Sequence, residues 1–177
     1  HAGGDDTLKL ALVGCGNRGT GAAANALQTS GPVKLVAMAD AFRDRLESSL
    51  QLLERGGKLR RKAVPAEVSK RVDVPTERQF LGLDAYRPAI DAADAVLLCG
   101  PPGFRPEQFE YAIRQGKHVF MEKPVATDAP GVRRVLAASK LADEQGLKVG
   151  VGLQRHHDRQ YLETVGRLRD GAIGDIQ

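Results

Sequence analysis

The run Leu8-Lys9-Leu10-Ala11-Leu12-Val13-Gly14-Cys15-Gly16-Asn17-Arg18-Gly19 constrains this chain more than any other stretch. A mostly apolar strand runs straight into a glycine-rich turn, and an alanine-rich helix, Thr20 to Leu27, follows without a break. Each glycine has a physical task. Gly14 permits the tight turn off the strand, Gly16 lets the backbone approach a pyrophosphate, and Gly19 lets the helix pack close on the strand. The start of that helix also presents free N–H groups to phosphate oxygens. A bare Gly-x-Gly-x-x-Gly arises by chance in a chain with 20 glycines. A strand before it and a helix after it are the context that gives it meaning.

The matching acid is present. A second apolar run, Val33 to Ala39, ends in Asp40, twenty-one residues beyond Gly19. A carboxylate at that strand end accepts hydrogen bonds from the adenosine ribose and repels the extra 2′-phosphate of NADP. The plainer alternative makes Asp40 the N-cap of a helix beginning at Ala41. The fingerprint upstream and the spacing favour ribose binding. Arg43, just past the acid, would suit a 2′-phosphate, so NAD is the expected cofactor and NADP stays open.

At 177 residues the chain is long enough for one good-sized core. It is 42% hydrophobic and 27% charged, and no run approaches the ~18 apolar residues that a membrane span needs. The net charge of +4 is partly local, with Arg55, Lys58, Arg60, Arg61, Lys62, Lys70 and Arg71 close together. No aromatics are interleaved there, so the stretch reads as a solvated helix end and loop, not as a nucleic-acid patch. Cys15 and Cys99 make neither a disulfide framework nor a metal site and read as small packing residues. His1 in place of Met implies a removed start or a cloning remnant, with His1 to Thr7 a polar lead-in. Ile173-Gly174-Asp175-Ile176-Gln177 reads as the entry to a new strand, as if the chain were cut short.

Strands are expected at about 8–13, 33–39, 95–99, 118–121 and 148–152, with a weaker one near Arg78 to Leu81. Val96-Leu97-Leu98-Cys99 and Val119-Phe120-Met121 are unbroken apolar runs, as strands buried on both faces should be. Helices fit between them. One starts at Thr127 or Asp128 with Pro130 in its first turn, stops at Gly146, and turns Val132, Val135, Leu136 and Leu141 to the core. Another ends at Gly116 and buries Phe109, Ala112 and Ile113; a last, at about 158–170, buries Tyr161, Val165 and Leu168. The stretch 51–77 reads as helix end plus surface excursion. This alternation predicts an α/β fold of the Rossmann type, a doubly wound parallel sheet with helices on both faces.

Two further motifs sit at strand ends. Cys99-Gly100-Pro101-Pro102-Gly103-Phe104-Arg105 sets two prolines after one strand, making either a stiff wall on the ligand crevice or simply a rigid turn, with Pro106 in the next helix. Phe120-Met121-Glu122-Lys123-Pro124 ends the next strand with a Glu-Lys pair. In the crevice it would orient the nicotinamide amide or touch a substrate oxygen; on a loop it would be a surface ion pair of little energetic value. Pro124 makes a cis bond plausible.

The order glycine turn, Asp40, Gly100-Pro101-Pro102, Gly116-Lys117-His118-Val119, Glu122-Lys123-Pro124 resembles the glucose-fructose oxidoreductase, inositol dehydrogenase and rhizopine-catabolism family (Gfo/Idh/MocA), from Leu8 to Ile176. The resemblance implies an N-terminal NAD(P)-binding Rossmann domain and a C-terminal α/β domain that carries most of the substrate pocket. The implied division is a lead-in over 1–7, the nucleotide-binding domain over 8–153, and a linking helix with the start of a truncated second domain over 154–177. It implies that Gly14, Gly16 and Gly19 hold the pyrophosphate with Asn17 and Arg18 close by. Asp40 would hold the ribose, Gly100, Pro101 and Pro102 would line the cofactor, and Glu122 and Lys123 would stand at its nicotinamide end, Lys123 as the catalytic residue. The family often has Thr before the two prolines and His three residues after them, where this chain has Gly100 and Arg105. Gly152-Leu153-Gln154-Arg155-His156-His157 resembles a subgroup often exported with a twin-arginine-type signal, and would set Arg155 and His156 near the domain junction or on the surface.

The implied activity is hydride transfer between a nicotinamide cofactor and a sugar or polyol hydroxyl, with the proton acceptor supplied by the second domain. The whole protein is expected to be a homo-oligomer, with no nucleic-acid or membrane partner, and the fragment alone to be inactive. Two other readings stay open: transient use of a retained nicotinamide in a redox-neutral sugar hydrolase or epimerase, and a nucleotide-binding module without catalysis.

Overall fold

The computed structural model describes residues 6–59 and 62–174. The first strand, β1 (Leu8–Val13), leads through the glycine turn into α1 (Asn17–Ala26). Next come β2 (Val33–Asp40), α2 (Arg43–Arg55) and a small antiparallel hairpin of β3 (Gly57–Leu59) and β4 (Lys62–Val64). The chain continues with β5 (Gln79–Leu81), α3 (Tyr86–Asp91), β6 (Ala95–Leu98), α4 (Arg105–Arg114) and β7 (His118–Met121). It closes with α5 (Ala129–Glu144), β8 (Val149–Val151) and α6 (Arg159–Arg169). The main sheet has six strands in the order β5-β2-β1-β6-β7-β8, each pair parallel. The expected doubly wound sheet is therefore the observed one.

Successive strand residues point to opposite faces, so a strand covered on both sides must be apolar at every position. In β1, Ala11 and Val13 enter one core with α3, α4 and α5, while Leu10 and Leu12 enter the other with α1 and α2. The strand order reverses between β1 and β6, where chains leave toward opposite faces, and the crevice opens beyond the carboxyl ends there.

α4 buries Phe109, Ala112 and Ile113 as expected. Asp128 caps α5, its carboxylate accepting from the Gly131 N–H at 2.7 Å, and Gly146 at φ +69° follows the helix end. The buried face of α5 differs from the expectation. Val135, Ala138 and Ala142 are buried, whereas Val132 and Leu136 are 42% and 64% exposed. α5 meets α4 along Val135, Ala138 and Ala142, which leaves Val132 and Leu136 on the side of the helix turned away from it. In α6 the capped start at Asp158 is present, but no residue is buried: Tyr161 and Val165 are exposed and Leu168 is half-buried. The reason is that α6 packs chiefly against the turn Gln154–His156 and reaches neither sheet face. The stretch 51–77 is also more than an excursion, because Val64, Val68 and Val74 from it plug the core beside α2. The readings placed on His1 to Asp5, on Arg60 and Arg61, and on Asp175 to Gln177 lie outside the described residues.

Candidate functional site

Four strand ends meet at the crevice, and each brings one of the motifs. At the end of β1, Gly14 adopts φ +92°, and a Cβ there would lie 2.4 Å from the Gly100 nitrogen. A Cβ at Gly19 would lie 1.8 Å from the Gly14 carbonyl oxygen. These two glycines are thus required by packing of the turn on α1 and on the chain leaving β6. Gly16 is different: nothing lies within 4 Å of a Cβ built there, although it caps the start of α1. The open space falls where the helix points its unpaired N–H groups, as a cradle for a pyrophosphate requires. Asn17 and Arg18, the first residues of α1, are exposed beside it.

Asp40 closes β2. Its Oδ2 accepts from the Cys15 N–H at 2.6 Å and its Oδ1 from the Phe42 N–H at 3.0 Å. The carboxylate therefore ties the glycine turn to the loop after β2. It does not cap α2, which begins at Arg43 with Phe42 as its cap residue. Each oxygen keeps a further lone pair for a donor such as a ribose hydroxyl. Asp40, Gly14, Gly16, Gly100 and Pro101 line one cleft of about 550 Å³, whose apolar walls include Phe42, Leu83, Tyr86 and Phe104. Arg43 is not among its lining residues and pairs with Glu47 at 3.6 Å. Arg45 lines the cleft instead, a residue that sequence reasoning passed over. The signal was available: Arg45 is two positions further on, in the first turn of α2, where it lies within 3.9 Å of Asp44.

After β6, Pro101 faces the cleft, whereas Pro102 is half-buried, outside the lining, and its carbonyl accepts from the Arg105 N–H at 3.3 Å. Of the two prolines, Pro101 lines this cleft. The carbonyls of both prolines serve the turn into α4, that of Pro101 accepting from the Phe104 N–H at 3.2 Å. After β7, Glu122 is buried and Lys123 exposed, and the Lys123-Pro124 peptide is cis. They do not form a pair. Alternation sends them to opposite sides, and Glu122 makes an ion pair with Arg18 of α1. That pair raises the Arg18 guanidinium above its ordinary range through the hydrogen bond that Arg18 donates to Glu122. Gly152 gives Glu122 its space, since a Cβ there would lie 2.7 Å from Oε1. Arg18 and Glu122 stand 104 positions apart, and nothing in the spacing announces their contact.

Arg105 is buried and donates to the carbonyl oxygens of Gly100 and Pro124. Of the remaining candidates, Cys99 alone lines this cleft. His118 is in β7, its Nδ1 accepting from the Lys148 N–H at 3.0 Å. Arg155 and His156 are exposed on a short turn, with Arg155 over the Tyr161 ring at 5.4 Å. Cys15 and Cys99 are both free thiols. Burial, with Asp40 adding, pushes the Cys15 thiol up; burial, with Glu122 adding, pushes Cys99 up to about 12. Both stay protonated and unreactive at neutral pH.

Comparison with known proteins agrees with this geometry. Residues 8–153 match the model of an oxidoreductase family described as having an NAD-binding Rossmann fold. An inositol 2-dehydrogenase of Rhizobium meliloti (strain 1021) is 29% identical over 171 residues, which cover 97% of this chain and 43% of the relative. One from Cereibacter sphaeroides (strain ATCC 17029 / ATH 2.4.9) is 30% identical over 162 residues, covering 90% and 41%. Among solved structures, scyllo-inositol dehydrogenase from Lactobacillus casei with bound NAD(H) and scyllo-inositol superimposes with a TM-score of 0.70 at 27% identity, covering 97% of this chain and 43% of that one. The chain spans less than half the length of these relatives. It belongs to the Gfo/Idh/MocA family of oxidoreductases with an NAD-binding Rossmann fold.

Proposed function

We propose that this chain is the cofactor-holding part of a polyol or sugar dehydrogenase. The observation that carries the reading is the single cleft that contains both the open face of Gly16 and the Asp40 carboxylate. Asp40 would accept from the adenosine ribose, the N–H groups of Gly16, Asn17 and Arg18 would hold the pyrophosphate, and Pro101 would wall the crevice onward from Asp40. Adenosine would lie between the apolar walls at Phe42 and Leu83, leaving the opposite end of the dinucleotide over the ends of β6 and β7. Bound nicotinamide supplies the hydride acceptor or donor for a carbon that bears a hydroxyl.

Lys123 is the catalytic residue of this reading. It is exposed at the end of β7, and among the described residues it makes no ion pair, so its ammonium is available to a substrate oxygen. Glu122 supports the crevice from below through Arg18 and does not face the substrate. A group outside residues 1–177 would take the hydroxyl proton: His118 opens β7, at the opposite end of the strand from Lys123, and His156 and His157, on the turn after β8, make no ion pair among the described residues. Substrates of the inositol class fit, since the relatives are inositol dehydrogenases. The whole protein would assemble as a homo-oligomer.

The test is Lys123→Ala. In residues 1–177 the change should leave NAD affinity within about twofold, because most affinity comes from adenosine and pyrophosphate. In the full-length enzyme it should lower kcat/KM by about a hundredfold or more. Unchanged turnover by the full-length variant, or robust NADH production from inositol by residues 1–177 alone, would contradict the assignment.

A further inference from the structure

The ladder between β6 and β7 ends where the Glu122 N–H donates to the Leu98 carbonyl at 3.0 Å. Beyond that point the two chains diverge, one into α4 and the other into the loop before α5, with no backbone bond between Gly100 and Pro124. Arg105 fills the gap. It is the first residue of α4, is 2% exposed, and its two terminal nitrogens donate one to each side: one to the Gly100 oxygen, the other to the Pro124 oxygen. Guanidinium is a planar fork of donors with fixed spacing, so the two carbonyls are held at a set separation.

This arrangement is costly. Among the described residues no carboxylate pairs with Arg105, since Glu122, the acid beside it, is engaged by Arg18. Its Nε is buried without a partner. Burial drives its proton affinity below the ordinary guanidinium range. A neutral side chain of similar size would fill the same space without the cost of burying a charge. Both carbonyls gripped by the fork adjoin residues the proposed function uses: Gly100 precedes Pro101 on the cleft wall, and Pro124 follows Lys123.

We infer that Arg105 is a positioning residue, a strut that sets the separation of the Pro101 wall and the Lys123 loop and so shapes the nicotinamide end of the crevice. The inference rests on the proposed cofactor placement and deepens it. Arg105 touches neither cofactor nor substrate; it acts through Pro101 and Lys123.

Two ligands separate this role from general stability. ADP-ribose carries the adenosine and pyrophosphate, and NADH adds the nicotinamide, whose fluorescence reports its surroundings. Wild-type residues 1–177 should bind both, with NADH tighter. Arg105→Met should weaken NADH by about fivefold or more and shift its emission toward that of free NADH, with ADP-ribose affinity within about twofold. Arg105→Lys, whose ammonium can still donate to both carbonyls, should recover most of the NADH affinity. Equal weakening of both ligands, no weakening of either, a wild type with no preference for NADH, or the failure of both variants to fold would each overturn the strut. A wild type that binds neither ligand would instead remove the cofactor reading, and the strut with it.

Discussion

The sharpest consequence of the glycine turn is that its three glycines should fail in different ways. Gly16→Val adds a branched side chain where nothing lies within 4 Å, at φ −69° and ψ 179°, which any residue adopts. Its effect on stability should be confined to the poorer cap, about 0.5–1 kcal/mol. In the proposed binding mode the same side chain fills the pyrophosphate cradle. A hydrogen bond to a charged phosphate oxygen is worth about 1.5–3 kcal/mol, so loss of two costs about 3 kcal/mol at least, or about a hundredfold in affinity. Gly14→Ala meets the Gly100 nitrogen at 2.4 Å from a φ of +92°, and should destabilise the fold by about 1–3 kcal/mol or more. Gly19→Ala meets the Gly14 oxygen at 1.8 Å and should be worse. Denaturant unfolding gives the stabilities, and titration calorimetry with NAD gives the affinities. A Gly16→Val protein that binds NAD like the wild type, or that unfolds as readily as Gly19→Ala, would refute the reasoning.

The thiols provide a prediction in pH. Cys99 is raised to about 12 and Cys15 is raised as well, both chiefly by burial, against an unfolded value of about 8.5. The folded state therefore keeps protons that the unfolded state releases. This contribution is full below about pH 8.5 and is lost as pH rises toward the folded values, by up to about 2 kcal/mol per thiol at pH 10. Cys99→Ala should flatten the decline of stability between pH 8.5 and 10, and an equally steep decline would remove burial of this thiol as its cause. At pH 8 both thiols should resist alkylation in the native protein, Cys15 because it is buried and half-buried Cys99 because it stays protonated, and both should react on unfolding; rapid native labelling would contradict this.

Parts of this site were readable because their physics is local. The three glycines, Asp40 and the first cleft proline each follow a short apolar run, and a strand that ends in a parallel sheet delivers its next residues to the crevice. The same locality made the five main strands legible. What escaped depends on residues distant in sequence. The Glu122-Lys123 dipeptide reads as a pair, yet Glu122 is claimed by Arg18 from another element. Arg105 stands out only as a departure from a familiar pattern, and its grip on two carbonyls exists only once β6 and β7 are neighbours. The outward turn of Val132 and Leu136 in α5 has the same origin, since periodicity alone does not say how closely α4 will approach. Tyr161 and Val165 show the converse: α6 has an apolar stripe, but a stripe is buried only where another surface meets it.

The decisive property of this chain is which nucleotide it holds and where. Titration calorimetry of residues 1–177 with NAD and NADP, on the wild type and on Asp40→Ser, measures both. The wild type should bind NAD at one site and more tightly than NADP. Asp40→Ser should lose NAD affinity and lose that preference, since it removes the charge that repels the 2′-phosphate while Arg45 still lines the cleft. Absence of NAD binding by the wild type, or a preference for NADP that survives intact Asp40, would contradict the central claim.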